Sequence, residues 1–277
     1  APFYRGELAA QLSAHVVANG GTLGRGDLAA YAAIERTPVR AEFRGTEVLT
    51  NPLPSSGGTL IAYSLDVLER LGPTSGPEEL VEAMDAANRH RADLLGSTTH
   101  ISVIDAEGMC AAVTCSNGSG SGVLVPGTGV ILNNMLGEED LNPFGFHQGK
   151  SGSRVTSMMA PTVVLRDGEV ILAVGSAGSN RIRSAILQTV VRVVEQGMGP
   201  QEAIAAARLH FEGGVVQAEP GIDAAALERL EARGIPVARR PEINLFFGGV
   251  QAVARDPATG ALSGGGDPRR GGAVAYA

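Results

Sequence analysis

The sequence predicts an α/β protein in which two stacked β-sheets are covered by helices, a four-layer αββα sandwich. Its size and composition permit such a core, since 44% of its 277 residues are hydrophobic and only 18% are charged. Segments rich in β-branched residues with alternating polarity predict strands at 99–116, 123–132, 162–175 and 248–276. Segments with apolar residues at helical spacing predict flanking helices at 59–71, 78–95 and 181–208. Strands bracketed by helices on both sides pack in layers around one core.

The first part of the chain begins with helices. Residues 6–18 place their apolar side chains on one face and end at a Gly-Gly pair, and Asp27 starts a second short helix. Alternating polarity then predicts one strand over 38–49. After a Pro- and Gly-rich loop and the helix at 59–71, Pro77 starts the next helix, with two glutamates in its first turn.

From Thr98 onward the pattern changes to strands and hairpins. A turn at 105–108 joins two strands at 99–105 and 110–116, and a second pair of strands brackets the turn at 166–169. The remaining elements expected in this half are helices at 181–197, 200–208 and 223–233 and strands at 248–255 and 272–276.

Charge and composition disfavour several classes of partner and cofactor. A net charge of −7 disfavours nucleic acid and anionic membrane surfaces, which need clustered Lys and Arg, and no apolar run approaches a membrane span. The five histidines are scattered without zinc spacing, and Gly118–Gly122 fits neither a dinucleotide nor a phosphate loop, so we expect no metal and no cofactor. The N-terminus has no signal peptide, which favours the cytoplasm and leaves the location open.

The run Gly96-Ser97-Thr98-Thr99-His100 is the most informative local feature. It places a hydroxyl residue between a Gly-Ser pair and a β-branched strand, as an enzyme would require if it made its nucleophile by cutting its own backbone there. A threonine that becomes a new N-terminus carries its own general base, because its free α-amine can take the hydroxyl proton. Thr-Thr-His at the start of a strand is common by itself, so the other segments of the chain must indicate whether Thr98 is a nucleophile.

Four segments together give a resemblance to a known family. They are Pro54-Ser55-Ser56-Gly57-Gly58, Thr98-Thr99-His100 with its strand, Ser157-Met158-Met159-Ala160-Pro161-Thr162, and Gly175-Ser176-Ala177-Gly178-Ser179-Asn180-Arg181-Ile182. In this order they resemble the γ-glutamyltranspeptidases of the N-terminal-nucleophile hydrolase superfamily. The closing Gly266-Asp267-Pro268-Arg269-Arg270-Gly271-Gly272 agrees with this resemblance.

The resemblance implies self-processing between Ser97 and Thr98. Residues 1–97 would then correspond to the C-terminal part of a large-subunit-like segment and 98–277 to a small-subunit-like catalytic segment, together forming one structural domain. Thr98 would attack the γ-glutamyl amide of a small-molecule donor such as glutathione, and water or an amine acceptor would resolve the resulting γ-glutamyl ester.

The resemblance also assigns roles to residues around the nucleophile. Ser116 would orient the new α-amine or polarise the Thr98 hydroxyl. The backbone N–H groups of Gly178 and Ser179 would form the oxyanion hole, with Ser179 at a position where the family has a second glycine. The residues that would hold the glutamyl head are Asn117 and Glu138 for its ammonium and Thr156 and Ser157 for its carboxylate.

Each assignment has a simpler alternative. Ser116 could satisfy a strand edge, and residues 175–178 could form an ordinary strand-to-helix turn. Glu138 could lie on a solvated acidic face with its two acidic neighbours, 139 and 140.

The departures from the family leave the function open between two classes. Members are longer, and the arginine that binds the donor's carboxylate in them lies in a part that this chain lacks; neither Arg89 nor Arg91 matches it. The sequence is therefore compatible with an active γ-glutamyl hydrolase or transferase that binds its donor weakly, or with a related acylase for other amide-linked dicarboxylic acids, such as a glutaryl group. It is also compatible with a truncated or unprocessed scaffold, and with a missing N-terminal segment or a homo-oligomer as partner.

Overall fold

The computed structural model describes residues 2–89, 98–138, 141–142, 145–146, 148 and 150–277. The chain divides into two compact units, one formed by Ala1–Thr37 with Asn117–Met135 and the other by Pro38–Ser116 with Leu136–Ala277. These boundaries differ from the expected cleavage site, whose Ser97 lies outside the described residues. The division into 1–97 and 98–277 therefore stays a prediction.

The smaller unit contains three helices, α1 (Pro2–Arg5), α2 (Glu7–Ala18) and α3 (Arg25–Ala30). The helix expected at 6–18 is confirmed, while α3 begins before Asp27, because the carboxylate of Asp27 accepts a hydrogen bond from the Gly24 N–H at 2.7 Å. The prediction of a strand at 123–132 is wrong. A single bridge joins Leu124 and Ile131, and left-handed glycines at 127 and 129 interrupt the extended backbone between them.

The described residues of the larger unit form five helices and eleven strands. The helices are α4 (Ser56–Leu71), α5 (Pro77–Asn88), α6 (Arg181–Val194), α7 (Pro200–Ala205) and α8 (Ala224–Ala232). The strands are β1 (Val39–Phe43), β2 (Thr46–Thr50), β3 (Thr99–Ile104), β4 (Cys110–Cys115), β5 (Thr162–Arg166), β6 (Glu169–Ala177), β7 (Leu209–Glu212), β8 (Val215–Ala218), β9 (Val237–Arg239), β10 (Gly249–Arg255) and β11 (Leu262–Gly266). No helix among the described residues is long and apolar enough to cross a bilayer.

A six-stranded antiparallel sheet with the order β1-β2-β5-β6-β10-β11 forms the centre of this unit. The helices α4 and α6 pack on it and on each other, and their apolar side chains join those of the sheet in one core. The hairpin β3–β4 packs on β6 and β10. Strand β6 is consequently buried along both faces from residue 171 to 177.

This stacking of helices, sheet and hairpin confirms the α/β class with two stacked sheets. The outer face of the hairpin is exposed and carries the apolar side chains of Ile101, Val103 and Val113. The inner face carries His100, which is buried against the central sheet.

Several element boundaries differ from those predicted. The strand expected at 38–49 is a hairpin, because Arg44 and Gly45 both adopt left-handed conformations and form a two-residue turn. The last strand is Leu262–Gly266 and not 272–276. The helix expected at 78–95 is described as far as Asn88, with 90–97 outside the described residues. The small sheet β7-β8-β9 was not predicted.

The two sheets approach each other closely at one glycine. A Cβ atom on Gly175 in β6 would lie 2.2 Å from Nδ1 of the His100 ring, so only glycine leaves room for this side chain. The ring nitrogens of His100 lie 2.8 Å from the hydroxyl oxygens of Thr114 and Ser102, both on the inner face of the hairpin. One imidazole thus organises the interface between hairpin and sheet.

We expect Gly175→Ala to lower the free energy of unfolding by about 1–3 kcal/mol, because the added methyl overpacks the contact with His100. Urea denaturation measures this change. Gly26→Ala is the matched control, because a Cβ at Gly26 meets open space in helix α3, and its stability should equal or exceed that of the parent. Equal stability of Gly175→Ala and the parent would show that the sheets separate without cost.

Candidate active site

Thr98 immediately precedes β3 and is half-buried. It lines a cleft of about 620 Å³ whose walls include Ala177 at the end of β6, Gly249 at the start of β10, and the C-terminal segment that follows Arg270. Strand alternation places residue 98 on the same side as His100, facing the central sheet. The predicted nucleophile therefore lies in a cleft between the two sheets.

Ser116 lies next to Thr98 through the hairpin register. The pairing of Thr99 with Cys115 continues outward to place residue 116 opposite residue 98. Facing positions in an antiparallel pair are neighbours on one side of the sheet. The register thus brings together the two hydroxyl residues that the sequence predicts to cooperate.

Gly178 and Ser179 directly follow β6, between the cleft residue Ala177 and the start of α6. Gly178 has a φ of 127°, and a Cβ there would lie 2.7 Å from the Cα of Gly248, so a side chain would not fit. Ser179 has a φ of 56°, in the left-handed region that favours glycine. The backbone at this position is therefore the one that glycine would adopt, although the residue is serine.

A buried polar network holds the start of α6 beside this turn. The carboxylate of Glu212 accepts a hydrogen bond from the Asn180 side chain at 2.8 Å and lies 3.1 Å from Nε2 of His210. The other ring nitrogen of His210 lies 2.8 Å from the hydroxyl of Ser184 in α6. Strand β7 thereby fixes the position of the helix that follows Gly178 and Ser179.

The four residues predicted to hold the glutamyl head are not among the described residues that line the cleft. The Ser157 hydroxyl donates to the Ser55 hydroxyl at 3.1 Å, and the Thr156 hydroxyl donates to the Leu141 carbonyl at 3.2 Å. Glu138 is buried, which does not fit a solvated acidic face. Asn117 belongs to the smaller compact unit. Their roles toward a donor stay predictions.

Arg270 and Gln251 line the cleft but were given no role from the sequence. The signal for Arg270 was present in the Asp267-Pro268-Arg269-Arg270 run, which only supported the resemblance. Among the described residues there is no group of three or more His, Cys, Asp or Glu side chains placed to hold a metal ion.

The structure of the cephalosporin acylase of Bacillus halodurans is similar to this chain, with a TM-score of 0.84 and 27% identity over 99% of this chain and 59% of that one. Together with the stacked sheets and the cleft, this similarity defines the fold as that of the N-terminal-nucleophile hydrolases. The chain is also 32% identical over 313 residues to the acylase ACY 1 proenzyme of Pseudomonas sp. strain SE83, covering 94% of this chain and 55% of that protein.

The glutathione hydrolase proenzyme of Escherichia coli K12 is 30% identical over 335 residues, covering 96% of this chain and 57% of that protein. The γ-glutamyltranspeptidase family model matches residues 1–97 and 88–277, so the chain belongs to that family. The resemblance found in the sequence is confirmed. The chain spans a little over half the length of these relatives.

We expect stability to fall as the pH decreases from about 6.5 to about 4. Burial lowers the pKa of both His100 and His210 from 6.5 to about 4, so in this window the unfolded chain binds protons that the folded chain does not. Each histidine should lower the free energy of unfolding by up to about 1.4 kcal/mol per pH unit.

Urea denaturation between pH 7.5 and 4.5 tests this expectation. The informative quantity is the slope of the free energy of unfolding against pH, and not its absolute value. His100→Asn and His210→Asn should each have a shallower pH dependence than the parent. An identical slope in the parent and both variants would contradict it.

Proposed function

We propose that this chain is a self-processing amide hydrolase or transferase that uses Thr98 as its nucleophile and takes γ-glutamyl amides as donors. The observation that best supports this function is the position of Thr98 at the start of β3, in a cleft shared with Ala177 and opposite Ser116. The names of its relatives, glutathione hydrolase and acylase proenzymes, support an amide-cleaving reaction and formation from a precursor.

Processing would begin with attack of the Thr98 hydroxyl oxygen on the carbonyl carbon of Ser97. The peptide C–N bond breaks as an ester forms between the Ser97 carbonyl and the Thr98 oxygen, and the nitrogen becomes the free α-amine. Water then hydrolyses the ester, leaving a carboxylate on Ser97 and restoring the threonine hydroxyl. The product has two chains and an N-terminal threonine.

In turnover, the Thr98 α-amine takes the proton of the hydroxyl as the oxygen attacks the donor amide. Negative charge develops on the amide oxygen, where the N–H groups of Gly178 and Ser179 would stabilise it by about 3–4 kcal/mol. The proton passes to the leaving amine, and an acyl ester remains on Thr98. Water or an acceptor amine resolves that ester. Ser116, opposite the nucleophile, would orient its amine.

An acylase for other dicarboxylic monoamides is the second candidate. It is favoured by the similarity to the Bacillus halodurans cephalosporin acylase, which extends over nearly the whole chain. The two candidates share the nucleophile and the acyl ester. They differ in whether the acyl group carries an ammonium that the protein must bind.

The purified chain should yield two fragments, one ending at Ser97 and one beginning at Thr98, because the nucleophilic hydroxyl is adjacent to the carbonyl it attacks. Intact mass spectrometry and N-terminal sequencing measure this directly. Thr98→Ala should remain a single chain, whereas Thr99→Ala, altered at the exposed neighbouring position, should be processed. A folded parent that stays intact would instead identify an unprocessed scaffold.

If γ-glutamyl amides are the donors, γ-glutamyl-p-nitroanilide should release p-nitroaniline and the α-glutamyl isomer should not. Glu138→Gln should lower kcat/KM for the γ-glutamyl donor about 100-fold or more, because an ammonium would lose a buried partner. The kcat/KM for glutaryl-p-nitroanilide, which lacks the ammonium, should not change in this variant.

Glu107→Gln in the exposed β3–β4 turn is the matched control for charge removal. If Glu138→Gln lowers kcat/KM equally for both donors, Glu138 contributes to folding and not to binding the ammonium. Preference of the parent for the glutaryl donor would favour the acylase.

A further inference from the structure

Arg270 is the one charged residue among the described residues that line the cleft. Burial lowers the pKa of His100, the other ionisable group there, to about 4, so that imidazole is neutral at pH 7. The remaining lining residues are uncharged, many of them glycine or aliphatic. A ligand in the cleft therefore meets one fixed positive charge.

The position of Arg270 is set by two glycines. A Cβ on Gly249 would lie 2.4 Å from Cδ of Arg270, so the alkyl stem lies directly on the backbone of β10. A Cβ on Gly178 would lie 3.7 Å from Nη2, so the guanidinium reaches the turn after β6. Gly249 pairs with Ala177, which places the arginine beside the end of β6. The charge is thus held next to the proposed oxyanion site.

The Arg270 guanidinium has little compensation from the protein. Its Nε is buried and has no hydrogen-bond partner in the described part of the chain. Asp267, the carboxylate whose charge acts on Arg270, pairs with Arg208 at 2.6 Å and with Arg269 at 3.2 Å. Burial lowers the pKa of Arg270, although an arginine remains charged.

The buried charges around Asp267 include more guanidinium groups than carboxylates. Four guanidinium groups and two carboxylates belong to this cluster, and Asp267 is the member that acts on Arg270. They are Arg192, Arg208, Arg269, Arg270, Asp267 and Glu219. An anion bound in the cleft would be attracted to this excess.

We propose that Arg270 binds the free carboxylate of the substrate's acyl group and thereby selects the dicarboxylic monoamides of the proposed function. This inference rests on the proposed function, because it takes Gly178 as the site of the reacting carbonyl. In glutaryl and γ-glutamyl groups three carbons separate the carboxylate from that carbonyl, a span of about 5–6 Å. A guanidinium beside Gly178 lies within this reach and offers a carboxylate paired hydrogen bonds.

Kinetics with three p-nitroanilides test the assignment. Arg270→Met should raise KM about 10- to 100-fold for the glutaryl and γ-glutamyl donors, because both lose a charged hydrogen bond. The pentanoyl donor has the same chain length without the carboxylate and should keep its KM. Arg270→Lys should restore part of the affinity. Arg255→Met, which removes an arginine paired with Glu169 elsewhere on β10, should behave as the parent.

Other kinetic outcomes would overturn the assignment. An equal fall in kcat for all three donors would place Arg270 at the oxyanion instead. If Arg270→Met has a lower Tm and loses activity equally toward every donor, and Arg270→Lys restores none of it, Arg270 is a structural residue. Unchanged KM values in Arg270→Met would remove Arg270 from recognition while leaving the proposed function intact.

A binding measurement keeps the inference separate from turnover. In the Thr98→Ala background, glutarate should raise the Tm and pentanoate should not, and adding Arg270→Met should abolish the glutarate effect. This result is independent of processing and catalysis, so it decides the role of Arg270 even if the parent hydrolyses no donor. An equal response to glutarate with and without Arg270 would refute the proposal.

Discussion

The wall of the cleft depends on a buried ionic network centred on Arg269. Its guanidinium pairs with Glu219, with Nε and Oε1 2.7 Å apart, and with Asp267, while Arg208 pairs with the other oxygen of Asp267. Asp267 also accepts the N–H of Val250 at 2.8 Å, which joins the network to β10. Removing one partner from such a buried group typically costs about 3–5 kcal/mol. The network therefore fixes the turn that carries the next residue in the chain, the arginine of the cleft.

Close backbone approach is the second constraint, and it explains why separate sequence segments belong together. A Cβ on Gly57 would lie 2.1 Å from the Met158 carbonyl oxygen, and one on Gly58 would lie 2.1 Å from the Asn51 carbonyl oxygen. The Ser55 hydroxyl donates to the Ser157 carbonyl at 3.1 Å across the same contact. Two segments that identified the family from sequence thus pack directly on each other. Their glycines are required by this packing and do not themselves indicate chemistry.

Some of the geometry around Thr98 follows from local sequence pattern. The β-branched strand after Thr98 and the hairpin register are both local, and together they place Ser116 opposite Thr98. The position predicted for the final strand was wrong, because the glycine run of the true strand resembles a loop. Those glycines leave room for α7 and the C-terminal segment to pack closely on the strand. A Cβ on Gly265, for example, would lie 2.7 Å from Ile204. The proposed role of Arg270 could not be predicted from the sequence for a similar reason. It arises from contacts with two glycines distant in sequence, which no local pattern records.

The electrostatics of the cleft differ from those of the whole chain. The net charge of −7 argued against anionic macromolecules, yet the only described charge in the cleft is a cation backed by further guanidinium groups. Local fields, and not net charge, decide which small molecules a concave site attracts. Arg270 thus gives the cleft a positive charge that the net charge of the acidic chain does not reveal.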